Sequence, residues 1–524
     1  MLIKLVEIIA FLALSLIYLK HALHTFQQNR YEFERYTKWL LKFRNLDLGE
    51  YFTYVASCGI FSYIFIHFLD KGIEIPVITI TILFAVKRLM AENKKEYIKP
   101  LVYTARVKRQ AAVTAVLALI FIGSLVLLET DLLVIAVLIA PWSWLVIYLM
   151  ALITLPMENG IKKHYENEAR EIIASMHNLK SSGITGSFGK TSTKNIVENI
   201  LSDSYYTLMT PASYNTPMGI TITIRQLLKP IHEVFVCEMG ADHVGEITYL
   251  MDFVKPKYGI VTSIGPQHLN TFHSLENIIH EKMQMIEMLP SDGLGVINID
   301  NEYIRDYKIQ NNVRVVSVGI NNTDADYVAK DINYDINGSS FTVNIKGEDV
   351  AFTSVLLGEH NIMNILTAIA LATEMGIDAK TLVKSVSRIK RIEHRLELKK
   401  INGFTFIDNA FNSNPVGCKL SLDVLAKMPG RHVIVTPGLI DLGPKEDEYN
   451  QSFGEYMINR ADVVLLVGKN QTRAIVKGLN EVGFDMENVI VKDTVKEAFT
   501  YIYTHLSTND TILLENDLPD AFSN

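Results

Sequence analysis

The chain is predicted to join an α-helical transmembrane domain of about five spans to an α/β part built on a largely parallel sheet. Three observations carry this. Hydrophobic residues make up 49 % of the 524 and mean hydropathy is +0.18, high for a soluble enzyme, with the excess confined to the first 155 residues. From Gly183 onward, short apolar runs alternate with helical stretches, the pattern of parallel α/β sheets. A glycine-rich loop stands where the first such strand hands over to a helix. The length calls for about three units.

Crossing a hydrocarbon core takes about 20 apolar residues. Leu5–Leu19, Tyr51–Leu69, Ala111–Leu128 and Leu132–Leu155 come close to that length. Ile73–Val86 is shorter and starts with Glu74 and Pro76, which leaves a tilted, thin-spanning or re-entrant helix open. The first stretch lacks the small-residue cleavage site of a signal sequence and runs on into Lys20 and His21.

Flanking charge sets the orientation. Lys20, Arg30, Arg35, Lys38, Lys42 and Arg44 follow the first span. Lys87, Arg88, Lys94, Lys95, Lys99, Arg106, Lys108 and Arg109 follow Ile73–Val86. The turns Asp70–Gly72 and Glu129–Asp131 offer only Lys71. Basic loops stay cytoplasmic, so five spans put the N-terminus outside and everything after Pro156 inside. The predicted location is the cell membrane, multi-pass, with the bilayer as a partner. Trp142 and Trp144, beside Pro141, fit either a lipid or substrate groove or ordinary helix packing. The polar stretch Met157–Lys180 reads as a linker helix.

The net charge of −7, with no basic stripe interleaved with aromatics, argues against a nucleic-acid partner. Cys58, Cys237 and Cys418 stand far apart without a CxxC pair, so buried thiols are expected rather than a zinc site or disulfides.

In the α/β part the expected strands are Val234–Glu238, Gly259–Ser263, Gly295–Asn298, Phe404–Asp408, His432–Thr436 and Val463–Val467. The expected helices are Ser192–Leu201, Leu275–Met288, Asn361–Met375, Val416–Lys427 and Gln451–Asn459. Polar–apolar alternation over Asp324–Thr353 suggests an antiparallel excursion, and a new unit is expected to begin near Leu396–Gly403.

The most specific signal is Gly183-Ile-Thr-Gly-Ser-Phe-Gly-Lys-Thr-Ser192. Glycines let backbone N–H groups turn toward phosphate oxygens, and the following helix adds a partial positive charge. Gly186, Ser187, Gly189, Lys190, Thr191 and Ser192 are therefore candidate nucleotide contacts, with Lys190 on the β/γ-phosphates and the Thr191 hydroxyl on Mg²⁺. Ile184 replaces the first glycine of the strict phosphate-loop spacing.

This loop resembles that of the Mur ligases, most of all the D-alanyl-D-alanine-adding branch, MurF. The resemblance continues in order through Pro211–Gly219, Glu238-Met-Gly-Ala-Asp-His-Val-Gly-Glu246, Gly358-Glu-His-Asn-Ile-Met-Asn364 and Asp408-Asn-Ala-Phe-Asn-Ser-Asn-Pro415, over roughly residues 180–480. It implies an ATP-dependent acid–amino-acid ligase with a phosphate-loop central domain and a Rossmann-like C-terminal domain. The expected division is 1–156 transmembrane, 157–180 linker, 181–397 central ATP-binding domain and 398–524 C-terminal domain.

The resemblance implies that ATP phosphorylates a carboxylate and that an amine attacks the acyl phosphate. It makes Lys190, Glu238, His268 and Lys282 catalytic, and Thr191, Glu238, His268 and Lys282 ligands of two Mg²⁺ sites, Lys282 as its carbamate. Hard Mg²⁺ suits such oxygen donors. Asn361 and Asn364 would meet adenine or ribose, with helix capping as a second role for Asn361. Arg395 and Asp408 would contact ATP when the C-terminal domain closes, with Asn412 supporting the loop and His360 structural.

Three departures stand out. Membrane helices replace the family's soluble domain for a UDP-linked substrate. Asn409 stands where the family has a second aspartate. Leu513-Leu-Glu-Asn-Asp-Leu-Pro-Asp520 replaces its Lys-Gly-Ser-Arg segment. The expected substrates are an amino acid or dipeptide and a cell-envelope carboxylate acceptor, polyprenyl-linked in the most specific form. A poly-γ-glutamate or capsule-type synthetase is the alternative enzyme. An ATP-driven transporter or regulator is the alternative of another class, and it predicts mid-span charges that these helices mostly lack.

Overall fold

The computed structural model describes residues 2–43, 45–69, 73–94, 100–410, 413–440 and 442–516. Arg44, Lys71 with the Asp70–Gly72 turn, Lys95, Lys99, Asn412 and the Asp517–Asp520 part of the last motif lie outside the described residues. The chain divides into two compact units, Met1–His164 and Tyr165–Asn524.

The first unit is helical. Its elements are α1 (Leu2–Gln28), α2 (Phe33–Phe43), α3 (Asn45–Leu69), α4 (Glu74–Lys94), α5 (Ala105–Leu127) and the first part of α6 (Leu132–Ser175). Arg30 and Tyr31, both at positive φ (57° and 61°), turn the chain between α1 and α2. Thr104 caps α5 by accepting from the Val107 N–H. Helix α2 is amphipathic, with Glu34, Arg35, Lys38 and Lys42 on it, whereas the longer helices carry apolar residues on both sides. Phe11, Leu14, Ile122 and Ile135 are fully buried, while Leu119, Ile120, Leu127 and Leu128 face outward.

Among the described residues, three helical stretches are long and apolar enough to cross a membrane: Tyr51–Phe68, Ala105–Leu127 and Trp142–Ser175. Five were expected. Lys4, Glu7 and Lys20 interrupt α1, and α4 loses its last turns to Lys87, Arg88 and Glu92. The expected linker helix is not separate either. Met157–Ser175 continues α6, a single helix of 44 residues.

The second unit begins with the end of α6, where Ala169 is buried beside Phe253 and Val254. Then follow β1 (Lys180–Thr185), α7 (Lys190–Ser202), β2 (Thr207–Met209), α8 (Pro217–Leu227), β3 (Val234–Glu238), α9 (Glu246–Val254) and β4 (Tyr258–Val261). Next come α10 (Leu269–Phe272), α11 (Leu275–Glu287), β5 (Leu294–Asn298), α12 (Glu302–Arg305), β6 (Arg314–Gly319), β7 (Tyr327–Asp335), β8 (Gly338–Ile345) and β9 (Glu348–Ser354). Two helices, α13 (Glu359–Glu374) and α14 (Ala379–Ser387), close this part.

These strands form a nine-stranded sheet in the order β2-β3-β1-β4-β5-β6-β7-β8-β9. It is parallel as far as β7 and antiparallel through β8 and β9, so the sheet is mixed, with the antiparallel excursion where alternation predicted it. Strands β3 and β5 are buried along their whole length, as parallel strands covered on both faces are. Helix α13 lies under the sheet with every residue from Asn361 to Thr373 buried.

The remainder builds a second sheet from β10 (Glu397–Ile401), β11 (Phe404–Asn409), α15 (Gly417–Leu425), β12 (His432–Thr436), α16 (Glu446–Tyr456), β13 (Val463–Val467), α17 (Arg473–Glu481), β14 (Val489–Lys492), α18 (Val495–His505) and β15 (Thr511–Glu515). Its order is β10-β11-β15-β12-β13-β14, with only β10 antiparallel. Helix α16 starts five residues ahead of expectation because Glu446, Asp447 and Glu448 fill its first turn, where carboxylates complement the helix dipole. All three cysteines are free and buried.

Candidate nucleotide and metal site

Gly183 to Thr185, read as the start of the loop, belong to β1, so the loop proper is Gly186–Gly189 at that strand's carboxyl end. Gly186 and Gly189 have φ of 147° and 79°. A Cβ on Gly186 would strike the Thr262 hydroxyl, and one on Gly189 would lie 2.9 Å from Asn364 Oδ1. Neither position has room for a side chain. The loop is strapped to the chain after β4: Ser187 Oγ donates to the Gly265 carbonyl (3.0 Å) and the Phe188 N–H donates to Ser263 Oγ (3.2 Å). Helix α7 follows with Gly189 as N-cap and no side-chain cap, so its first amides face the loop as an anion site. Ser192, in the first turn of α7, is buried.

Lys190 folds back onto the loop, donating to the Gly186 carbonyl (2.7 Å) and the Ser187 carbonyl (3.2 Å). Burial pulls its ammonium down to about 8, against the pull of Glu238. Glu238 ends β3 in the neighbouring strand. Its Oε1 accepts from Thr191 Oγ1 (3.1 Å) and from Asn215 Nδ2 (3.0 Å), and its Oε2 lies 3.2 Å from the buried Lys194 ammonium.

Lys282 lies on the buried face of α11 and donates to the Ala241 carbonyl (3.1 Å). Burial first, then the nearby Lys190, lowers it to about 7, while Glu281, Glu246 and Asp242 pull the other way. His268 is the N-cap of α10 at φ 53°. Its carbonyl accepts from Thr271 Oγ1 (3.0 Å), a hydroxyl that also reaches the Asp242 carbonyl. The His268 turn is thereby tied to the turn carrying Asp242, His243 and Glu246, whose ligand atoms lie within 4.8 Å of one another. Glu281 fixes that turn by accepting from the Gly245 N–H (2.7 Å) and the Ile247 N–H (2.5 Å).

Asn364 stands against the loop, accepting from Thr193 Oγ1 (3.1 Å). Asn361 is buried and donates to the Leu357 carbonyl (2.9 Å), so its side chain ties the first turn of α13 to the chain just ahead of it. Burial lowers His360 to about 4, in keeping with a structural histidine. Arg395 and Thr191 line the same cavity of about 350 Å³, with Asn195, Ala212 and Ser213. Asp408, at the end of β11, accepts from Lys399 Nζ (2.7 Å) and pairs with His394 Nδ1 (2.8 Å). Burial pushes its carboxyl up, but these partners and the Ala410 N–H hold it below its ordinary range.

The donor set suits a magnesium-bound nucleotide. Hard oxygens on Thr191 and Glu238 lie side by side, buried cations surround them, and the glycine loop meets an uncapped helix start. Sequence reasoning named most of these residues and missed Lys194, Asn215 and Glu281. Lys194 carried a signal: it falls four residues after Lys190, one turn on along the same helix face. The acid–histidine turn at 242–246 stands out in the sequence as a motif; only the fold gathers its ligand atoms.

The Mur ligase middle domain family matches residues 184–372, and the Mur ligase glutamate ligase domain family matches residues 394–515, together more than half of the chain. The chain is 30 % identical over 295 residues to the UDP-N-acetylmuramoyl-tripeptide–D-alanyl-D-alanine ligase of Escherichia coli (strain K12), covering 56 % of this chain and 65 % of that protein. It is 30 % identical over 291 residues to that of Bacillus subtilis (strain 168), covering 55 % and 62 %. The chain thus spans less than two thirds of the length of these relatives.

Among solved structures, MurF from Acinetobacter baumannii superposes with a TM-score of 0.62 at 23 % identity, over 69 % of this chain and 78 % of that one. MurF from Thermotoga maritima in complex with ADP gives 0.62 at 21 %, over 68 % and 80 %. These establish the shared fold. On the family matches, with the ordered motifs and the paired sheets, the chain belongs to the Mur ligase family.

Proposed function

We propose that this chain is a membrane-anchored, ATP-dependent amide ligase of MurF type that acts in peptidoglycan-type envelope synthesis. One observation carries the reading. Thr191, Lys190, Glu238 and Lys282 converge at the carboxyl ends of adjacent parallel strands, where open α/β sheets hold their ligands.

The chemistry follows from that convergence. An acceptor carboxylate oxygen attacks the γ-phosphorus, the bond to the β-phosphate oxygen breaks, and ADP leaves with an acyl phosphate formed. The amine then attacks the acyl carbon, inorganic phosphate departs, the nitrogen loses a proton and the amide remains. Such transfer depends mainly on positioning and charge neutralisation. Lys190 would swing from the Gly186 and Ser187 carbonyls onto the β/γ-phosphates. Gly186, Ser187, Gly189, Thr191 and Ser192 would surround the phosphates, Asn361 and Asn364 would serve adenine or ribose, and Arg395 and Asp408 would contact ATP when the C-terminal domain closes. Thr191 and Glu238 would hold one Mg²⁺, and His268 with carbamylated Lys282 a second. A bound metal would neutralise phosphate charge. The lowered Lys282 supports its carbamylation, because only the neutral amine adds carbon dioxide.

The helical unit, read as residues 1–156 with five spans and an outer N-terminus, takes the place of a soluble UDP-binding domain. The 157–180 segment then leads to the ligase domains, 181–397 and 398–524, in the cytoplasm. The acceptor is a carboxylate carried on a polyprenyl-linked precursor, and the amine belongs to an amino acid or dipeptide.

The test is ligation by detergent-solubilised full-length protein, with ATP, Mg²⁺, a panel of amines, and soluble and lipid-linked acceptors. The expected product has the mass of acceptor plus amine minus water and disappears in Lys190→Ala. ATP turnover with no ligated product would overturn the ligase reading, and equal rates on a soluble UDP-muramoyl peptide would overturn the lipid-linked acceptor.

A further inference from the structure

We propose that Lys194 is a positioning residue that decides which oxygen of Glu238 faces the nucleotide's metal. The proposal rests on the reading of Glu238 as a metal-binding carboxylate.

The two oxygens of Glu238 are held by different chemistry. Oε1 accepts from two neutral donors, Thr191 Oγ1 (3.1 Å) and Asn215 Nδ2 (3.0 Å). Oε2 makes no hydrogen bond and faces the Lys194 ammonium at 3.2 Å as an ion pair, both side chains being sealed from solvent (0 % and 1 % exposed). A neutral hydroxyl contact is exchangeable: Thr191 can turn its hydroxyl from Glu238 to a cation and become a ligand beside it. The buried ammonium cannot leave so readily, because withdrawal would strand two charges in a low-dielectric interior.

The same ammonium is anchored a second time. It donates to the Ala212 carbonyl, in the Pro211–Gly219 loop that supplies Asn215. The lysine therefore ties α7, β3 and that loop together, with Glu238 at the centre. Oε2 is held by the ammonium's charge alone, and Oε1 is presented with Thr191 Oγ1. A small octahedral ion that keeps several waters favours such one-oxygen attachment over chelation by both oxygens. Sequence spacing supports the arrangement, since Lys190 and Lys194 stand one helical turn apart: the first reaches the loop and the second the carboxylate.

The experiment measures the affinity of ATP for the full-length protein in detergent, once with excess chelator and once with Mg²⁺, by calorimetry. In Lys194→Met the gain in affinity that Mg²⁺ confers should shrink about 10- to 100-fold, with metal-free affinity held, since the loop and Lys190 are untouched. A gain equal to wild type overturns the proposal. Glu238→Gln separates the two ideas: if it too keeps the full gain, Glu238 is not a metal ligand. If Glu238→Gln loses the gain while Lys194→Met keeps it, only the role of Lys194 falls. Should Lys194→Met fail to fold, a crystal structure of the wild-type protein with Mg²⁺ and ADP decides the matter. Metal on Oε1 with Lys194 still on Oε2 is the expected result. Metal chelated by both oxygens, or Lys194 moved to a phosphate, overturns it.

Discussion

Asn409 donates its side-chain amide to both carboxylate oxygens of Glu515, at 2.9 and 3.2 Å, across the paired strands β11 and β15. Two departures from the family pattern, read separately in the sequence, are one contact in the fold. Ser421 Oγ (2.6 Å) and Ser413 Oγ complete the shell of a fully buried carboxylate. Restoring the family's residue with Asn409→Asp would place a second carboxylate against the first. The expected cost is about 3 kcal/mol of stability, read as a lower unfolding midpoint. An unchanged midpoint would mean the two residues do not meet.

Glu515 also has a pH signature. Burial holds its carboxyl above its ordinary range, so the folded chain binds that proton more tightly than the unfolded one. Stability is then fullest below the unfolded value and declines as pH rises through the folded one. Thermal midpoints of Glu515→Gln across pH 4–8 should lack that decline, about this range being where carboxyls shifted upward titrate. The same downward slope in both proteins would refute the assignment.

Gly189→Ala should fold poorly or bind nucleotide weakly. Alanine at φ 79° is strained, and its Cβ would meet Asn364 Oδ1 at 2.9 Å. A stability loss of about 1–3 kcal/mol is expected, with ATP affinity reduced in calorimetry. Gly376→Ala serves as control, because it shares the left-handed backbone (φ 94°) with nothing within 4 Å of the added Cβ.

Lys282 at about 7 should take up carbon dioxide increasingly as pH rises from 6 to 8, about one unit either side of that value. Carbon-13 NMR with labelled bicarbonate should show a carbamate signal that grows over this range and vanishes in Lys282→Arg. No signal in the wild-type protein at pH 8 would exclude the modification.

The orientation of the helical unit is checked with protease-cleavable tags at the two ends. With five spans, a tag ahead of Met1 is cut in intact cells, and one after Asn524 is cut only after lysis. Protection of both tags would require an even number of spans.

The α/β part was legible because strand and helix patterning is local. Val234–Glu238, His432–Thr436 and Val463–Val467 begin and end where the apolar runs do. The family motifs announced Lys190, Thr191 and Glu238 in the same way. Lys194 stayed hidden because a lysine on an isolated helix reads as solvated; only the pairing of β1 with β3 and the loop at Ala212 bury it. The Asn409–Glu515 contact, 106 residues apart in sequence, could not be read from spacing. The spans were harder still, since Lys4, Glu7 and Lys20 in α1 leave apolar length and charge in conflict.

The position of β15 has a consequence for the order of events in synthesis. Thr511–Glu515 fills the gap between β11 (Phe404–Asn409) and β12 (His432–Thr436), strands made well before it. Until the ribosome has released that segment, β11 and β12 face each other across a missing strand, with Phe406, Ile407, Val433 and Ile434 unable to bury fully. Non-local strand pairing of this kind is slow and exposes sticky edges meanwhile. The second sheet is therefore a late-maturing element, and a premature stop upstream of Thr511 would leave it without the strand between β11 and β12.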